Sequence, residues 1–315
     1  MSDITQEPHW ERGVIEKLAL DSLTEQRRHR RWGVFFKLLG FAYLTLILAV
    51  LGDWSGSGGM SDGQRHSALI DIEGVIAARG EGSAENVVAA LQSAFDDKGA
   101  VGIILRINSP GGSPVQAGII HDEIWRLRAT HPDKPVHVVV EDICASGGYY
   151  VAAAADRIFV DKASIVGSIG VLMDGFGATG AMEKLGIERR LLTAGENKGF
   201  LDPFSPQNAQ HKAHAQRMLS EIHQQFIEVV RRGRGTRLKE TPGMFSGLMW
   251  TGTKSIELGL SDGYGTIDSV ARNVLQAEEI RDYTVRKNFA ERFAQQFGAE
   301  VATGLSSTWR SFRLQ

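Results

Sequence analysis

The chain has 315 residues, of which 43% are hydrophobic and 23% are charged, and its formal net charge at pH 7 is −2. This is the balance of a globular protein with room for one large domain or two smaller ones, and it argues against a nucleic-acid-binding protein, which normally carries a basic excess. The single cysteine, Cys144, excludes an intrachain disulfide and any metal site that needs several cysteines.

The first predicted element is a transmembrane anchor at residues 32–52. The basic stretch 27-RRHRRW-32 precedes 33-GVFFKLLGFAYLTLILAVL-51, in which only Lys37 is charged. About 20 apolar residues cross a bilayer core, and a lysine near the end of the run can reach the headgroups. The run is long for a signal peptide and ends without a small-residue cleavage site, so we expect it to be retained. A buried core helix is the other alternative.

The anchor predicts the organisation of the chain. Basic residues on its N-terminal side favour a cytoplasmic N-terminus, which makes residues 1–31 a cytoplasmic lead. A flexible Gly/Ser-rich linker follows at residues 53–66. We expect the main domain at residues 67–278, outside the cytoplasm, and a C-terminal tail at residues 279–315.

In the main domain, short apolar runs alternate with helical patterns. The predicted strands are 68–74, 101–107, 136–140, 157–160, 168–173 and 187–193. The predicted helices are 83–97, one from Pro114, one after residue 145, one around Met182 and 207–232, and residues 243–275 add a strand–helix–turn–helix unit. Continuous apolar strands between helices indicate an α/β fold with a parallel sheet that is buried on both faces.

Two predicted strand-to-helix turns have the same form, 108-NSPGGS-113 and 145-ASGGYY-150. Glycines let the backbone approach a ligand, and the helix that follows presents free N–H groups. Ser146 would stand at the carboxyl edge of the sheet, where α/β proteins place their sites. One turn is therefore a candidate for a nucleophile and the other for an oxyanion hole, with plain turn geometry as the alternative. We interpret Cys144 as a small buried residue, the alternative being a thiol nucleophile.

A nucleophilic serine needs a base, and the sequence leaves the choice open. None of the nine histidines falls in a Gly-rich loop, so we interpret them as surface or packing residues. Lys198 lies in the long loop 195-GENKGFLDPF-204, and long loops within compact domains are usually functional. A lysine with the ordinary pKa of about 10.4 acts as a base at neutral pH only when it is desolvated, for which Phe200, Leu201 and Phe204 are suitable neighbours. A solvated charge is the alternative.

Four motifs, in this order after one membrane anchor, resemble the short form of the bacterial signal peptide peptidase A family. They are 106-RINSPGGS-113, 144-CASGGYYVAAAADRI-158, 166-VGSIGV-171 and 195-GENKGFLDPF-204. The resemblance implies a membrane-anchored serine peptidase with a Ser–Lys dyad and no cofactor or metal. It also implies a ClpP/crotonase-like α/β fold of repeated ββα and βα units, with a largely parallel sheet after the transmembrane helix.

The resemblance also assigns roles to residues at the motif positions. Ser146 would be the nucleophile, Lys198 the general base, and Ser168 the residue that orients the lysine amine. The oxyanion hole would use backbone N–H groups of Gly147 and of Gly111 or Gly112. The family further implies a homo-oligomer, a ring of the tetramer or octamer kind, in which a neighbouring subunit's lysine can complete each site.

We therefore expect a serine endopeptidase of the bacterial inner membrane, with its catalytic domain outside the cytoplasm. Its substrates would be remnant signal peptides and other membrane-derived or misfolded polypeptides. The alternatives are a crotonase-like acyl-CoA enzyme and a non-catalytic, peptide-binding membrane scaffold. If activity survived the loss of Lys198, His137 and His121 would return as candidate bases.

Overall fold

The computed structural model describes residue 17 and residues 30–47 and 64–286. The chain divides into two compact units, residues 1–62 and 63–315, which are described separately. In the first unit, residues 30–47 form helix α1. Among the described residues no helix has both the length and the apolar character needed to cross a membrane. The predicted anchor at residues 32–52 ends outside the described residues and stays a prediction.

Within residues 64–286, the second unit is built on an eight-stranded sheet. Its strands are β1 His66–Ile76, β2 Ala100–Gly112, β3 Val136–Ala145, β4 Arg157–Val160, β5 Ile165–Gly167, β6 Met249–Thr251, β7 Gly263–Tyr264 and β8 Ile280–Asp282. The main order is β6-β5-β3-β2-β1-β8, and β4 pairs with β3 and β7. In this part of the chain every pairing is parallel except that of β5 with β6. The predicted α/β class with a largely parallel sheet is confirmed.

The helices of this unit follow the strands in the expected alternation. They are α2 Ala84–Asp96, α3 Pro114–Thr130, α4 Gly147–Ala152, α5 Thr179–Lys184, α6 Ala209–Arg234, α7 Gly252–Glu257 and α8 Ile267–Asn273, with a 3₁₀ turn at Gly235–Arg237. The first turns of α2 and α3 have ordinary serine caps. Ser83 and Ser113 accept N–H bonds from α2 and α3, and Pro114 occupies the first turn of α3, where its missing N–H costs nothing.

Apolar side chains cover both faces of the central strands. In β3, Val138 and Val140 pack into the larger core beneath α2, α3 and α4, whereas Val139 belongs to a second cluster with Ile104 and the α8 residue Val270. Successive strand residues point to opposite faces, so burial on both sides demands an unbroken apolar run. This requirement explains why the sequence 136–140 is apolar throughout.

Two predicted strands are wrong. Residues 168–173 and 187–193 form no regular strand, and α5 is the helix in the segment between them. A strand needs a neighbour that accepts its backbone hydrogen bonds, and the free side of β5 is taken by β6 in antiparallel pairing. The apolar side chains of 187–193 therefore stay outside the core, and Leu192 is 96% exposed.

The chain returns to the sheet after α8, beyond the predicted domain end at residue 278. β8 pairs with β1, and the Tyr283 hydroxyl donates to Asp97 and lies 2.9 Å from Nε2 of His66. His66 is the first residue of β1 and is fully buried, so its prediction as a linker residue is wrong. This burial was not predictable from the neighbouring residues, because Tyr283, which packs against the ring, lies 217 positions away.

Candidate active site

Ser146 lies at the junction between β3 and α4. Its backbone adopts φ +51° and ψ −121°, a conformation that glycine favours and that is strained for a residue with a side chain. Its N–H donates to the Gly167 carbonyl at 2.8 Å, which fixes the junction to the neighbouring strand. A strained strand-to-helix turn is one way to project a serine hydroxyl from the carboxyl edge of a sheet.

The two glycine-rich turns meet at this point because β2 and β3 are adjacent and parallel. A Cβ atom on Gly111 would lie 2.7 Å from both the Ser146 Cβ and the Gly147 nitrogen. A Cβ atom on Gly147 would lie 3.2 Å from the Gly112 nitrogen. The structure therefore brings Gly111, Gly112, Ser146 and Gly147 into direct contact, and only glycine fits this approach at Gly111.

The geometry also distinguishes the two glycines that the resemblance left open. The Gly111 N–H donates to the Ser109 hydroxyl at 3.1 Å, on the side of β1, and the Ser113 N–H donates to a β1 carbonyl at 2.8 Å. Successive N–H groups along a strand point to opposite sides. By this alternation we expect the Gly112 N–H on the other side, and the Gly112 nitrogen lies beside Gly147, so of the two glycines Gly112 is the better candidate for the oxyanion donor.

Ser168 follows β5 and is a neighbour of Ser146 in the sheet. The residue before it, Gly167, is in register with Ala145, which directly precedes Ser146. Ser168 has φ +50°, and its N–H donates to the Leu248 carbonyl at 2.8 Å. The two predicted serines thus leave adjacent strands at the same edge of the sheet, and both are half-buried.

Lys198 is placed differently. Its side chain is exposed, and within residues 64–286 its ammonium group has no hydrogen-bond or ion-pair partner, so no such contact joins it to Ser146 or Ser168. Its loop lies against α6, where the Phe200 ring packs 5.3 Å from the ring of His211. The apolar neighbourhood predicted for the lysine does not desolvate it within a single chain.

The alternative bases do not fit the site. His137 is the second residue of β3, and at about 3.3 Å per residue the strand separates it from Ser146 by up to roughly 30 Å. Both ring nitrogens of His121 are engaged, one with Asp122 at 2.9 Å and one by the indole N–H of Trp125 at 3.0 Å. Burial lowers the pKa of both histidines, which keeps them neutral and packed rather than poised beside the serine.

Cys144 is fully buried, and burial raises the pKa of its thiol well above the ordinary range. A nucleophilic cysteine needs thiolate character and access to solvent. The interpretation of Cys144 as a small buried residue therefore fits the structure, and the thiol-nucleophile alternative does not.

The position of one residue near the site was not predicted from the sequence. The Nε2–H of His223, on α6, donates to the Ile169 carbonyl at 3.2 Å, directly after Ser168. His223 precedes the buried residues Phe226 and Ile227 by three and four positions, which is the spacing of one helix face. That spacing is the signal that would have placed it toward the core.

Comparison with known proteins now identifies the domain. Residues 128–281 match the model of peptidase family S49. The chain carries a peptidase family S49 domain. The matched range includes β3, the Ser146 turn, Ser168 and the Lys198 loop, so the resemblance to signal peptide peptidase A is confirmed at the level of the family.

Named relatives agree with this family. The chain is 28% identical over 252 residues to a candidate signal peptide peptidase of Enterococcus faecium, which covers 76% of this chain and 73% of that protein. It is 29% identical over 247 residues to Protease 4 of Haemophilus influenzae, covering 76% of this chain and 40% of the relative. The S49 domain and these relatives support a serine-type peptidase.

A further relative has a different name. The chain is 46% identical over 190 residues to a Brucella melitensis protein named as the Na⁺/H⁺ antiporter NhaA. The match covers 60% of this chain and 26% of that protein. The S49 chain therefore spans about a quarter of that relative's length.

Proposed function

We propose that this S49 domain is a serine endopeptidase in which Ser146 and Lys198 form a catalytic dyad. The observation that carries the proposal is the contact between the Gly111–Gly112 turn and the strained Ser146 junction. It places backbone N–H donors beside a serine at the carboxyl edge of the sheet. Such preorganised donors stabilise the oxyanion of acyl transfer.

In the proposed mechanism, neutral Lys198 accepts the proton of the Ser146 hydroxyl while the serine oxygen attacks a peptide carbonyl. The oxyanion forms against the N–H groups of Gly112 and Gly147. The protonated lysine then gives its proton to the leaving amine, and a water activated by the same lysine hydrolyses the acyl-enzyme. Ser168 orients the lysine amine from the neighbouring strand.

We propose that Lys198 reaches Ser146 across a boundary between two copies of the chain. The segment 171–206 carries large apolar side chains that are exposed in the single chain, namely Leu172, Met173, Phe176, Leu185, Ile187, Leu191, Leu192, Leu201 and Phe204. Exposed apolar surface of this kind marks an interaction site. Assembly into a ring would cover the segment and desolvate Lys198, which lowers the pKa of a lysine and makes it a base.

The finer proposals concern fold, location and substrate. The neighbouring glycine turns at one edge of the sheet suit a ClpP/crotonase-like fold. The predicted anchor at residues 32–52 would hold the domain on the outer side of a bacterial inner membrane, where apolar peptides leave the bilayer. Remnant signal peptides are the proposed substrates, which is in keeping with the name of the Enterococcus relative.

The decisive experiment mixes two inactive variants of the full chain in detergent. Ser146→Ala and Lys198→Ala are each expected to lose at least about 1,000-fold in peptide hydrolysis, because removal of a nucleophile or its base leaves only residual catalysis. When the two are refolded together, activity should return, since an intact lysine then meets an intact serine at some boundaries. Lys184→Ala, from the same exposed segment, is the matched control and should stay active.

Four outcomes would contradict parts of the proposal. Full activity of Lys198→Ala would remove the dyad and direct attention to His223. Inactive mixtures that still assemble would place the lysine and the serine in the same chain. An active preparation whose Ser146 fails to react with a fluorophosphonate would remove the serine peptidase and favour an acyl-CoA enzyme, whereas a wild type that binds peptides without cleaving them would leave a scaffold.

A further inference from the structure

Strand β2 changes its register with both neighbouring strands just before Gly111 and Gly112. Its register with β1 shifts between Glu73 and Val75, and its register with β3 shifts between Ile107 and Ser109. The next residue, Pro110, has no N–H to donate. The ladder bonds are therefore interrupted at the place where β2 approaches Ser146, and the backbone groups at this bulge need other partners.

The Ser109 hydroxyl supplies these partners. Its Oγ donates to the Gly74 carbonyl of β1 at 2.6 Å and accepts the Gly111 N–H at 3.1 Å. The side chain is fully buried, so water does not compete for either bond. One hydroxyl thus replaces a ladder hydrogen bond between β1 and β2 and fixes the direction of the Gly111 N–H.

Ser109 also contacts α4, the helix that begins directly after Ser146. A Cβ atom on Gly148 would lie 3.1 Å from the Ser109 carbonyl oxygen and 3.4 Å from its Cβ. The same residue therefore holds the glycine turn of β2 on one side and supports the first turn of α4 on the other. The proposed oxyanion donors, Gly112 and Gly147, are the chain neighbours of Gly111 and Gly148, which Ser109 contacts.

We propose that Ser109 is a positioning residue for the oxyanion hole. By binding the Gly111 N–H toward β1, it leaves the next N–H in the chain, that of Gly112, pointing at the carbonyl that Ser146 attacks. The inference rests on the proposed peptidase function and adds a residue that acts through the backbone without contact with substrate.

Ser109→Ala tests the inference in the full chain. We expect kcat to fall about 10- to 100-fold, less than the 100- to 1,000-fold typical for loss of an oxyanion donor, because the donor is misaligned and still present. KM should change less than about threefold, since ground-state binding is retained. Backbone amide exchange of residues 111–113 should rise, and Ser109→Thr, which keeps the hydroxyl, should restore most of kcat.

The matched control is Ser67→Ala, at the opposite end of β1. Ser67 is also fully buried, and its hydroxyl donates to the Ala277 carbonyl at 2.7 Å. We expect this variant to lose stability without losing kcat. An equal loss of kcat in both variants, or an unchanged kcat in folded Ser109→Ala, would overturn the inference.

Amide exchange separates this inference from the proposed function. If the wild type shows no hydrolysis that depends on Ser146, the proposed function fails, and the exchange of residues 111–113 still decides whether Ser109 orders the turn. Unchanged exchange in Ser109→Ala would overturn the positioning role even if the peptidase function holds.

Discussion

At the scale of single residues, the candidate nucleophile is held in a conformation that its own side chain opposes. Ser146 lies at positive φ between a strand and a helix, and the hydrogen bond from its N–H to the Gly167 carbonyl helps to hold this conformation. Strained conformations cost about 1–3 kcal/mol and persist only when the surroundings enforce them. The cost of this strain is consistent with a residue kept for its chemistry.

A glycine substitution tests the strain. Ser146→Gly should be inactive and at least as stable as the wild type, because glycine adopts positive φ without penalty. Ser146→Ala should be equally inactive and no more stable, since alanine keeps the Cβ atom. Urea unfolding of the two variants provides the comparison, and a glycine variant clearly less stable than the alanine variant would contradict the interpretation.

At the scale of elements, the C-terminal end of α6 is fixed by close approach and by a buried ion pair. Arg234 is fully buried and forms two bonds to Asp262, at 2.9 and 2.8 Å. Asp262 also accepts the Ile158 N–H of β4. Burial by itself would raise the pKa of the Asp262 carboxyl, but the hydrogen bonds and charge of Arg234 outweigh it, so the pKa lies below its ordinary value. Asp262, in the loop after α7, thus joins α6 to β4.

The close approach at Gly233 gives a stability prediction. A Cβ atom there would lie 1.9 Å from the Ala153 carbonyl oxygen after α4, so Gly233→Ala should displace α6 and destabilise the fold by about 2–4 kcal/mol. Gly118→Ala is the control, because that position in α3 is open and alanine gains about 0.5–1 kcal/mol in a helix. Denaturant midpoints should move in opposite directions, and a shift in the same direction would refute the prediction.

At the scale of the whole domain, two of the three buried histidines within residues 64–286 make the stability depend on pH. His121 and His137 are both buried, and desolvation is the main cause that lowers the pKa of each. A group with a lowered pKa in the folded state takes up its proton first in the unfolded chain. The stability that it contributes is present above a pH of about 6.5 and is lost as the pH falls through its folded pKa.

This linkage predicts acid sensitivity in a defined range. The urea midpoint should fall between about pH 7.5 and pH 5, well above the range in which Asp262 and Asp97 titrate. His137→Met should flatten the dependence, since His137 Nδ1 has no hydrogen-bond partner among the described residues and loses little by replacement. A midpoint that rises toward pH 5 would contradict the prediction.

The sequence by itself determined the α/β class and the chemistry that its motifs offer. The run 136–140 had to be a buried strand because both of its faces are apolar, and Ser83 and Pro114 fixed helix starts through local bonds alone. The Ser146 turn was also readable, because its glycines and the strand before it are neighbours in the chain.

Only the tertiary structure decided which distant residues meet. Parallel pairing of β2 and β3 put Gly111 beside Ser146, and the return of β8 buried His66. The predicted strand 187–193 failed because its backbone pairs with no strand of the sheet, a contact that its own residues do not specify. Lys198 is exposed in the single chain, and its desolvation by a neighbouring copy stays a proposal. Local patterns report local bonds, whereas contacts across the sheet depend on topology, which no short stretch of sequence contains.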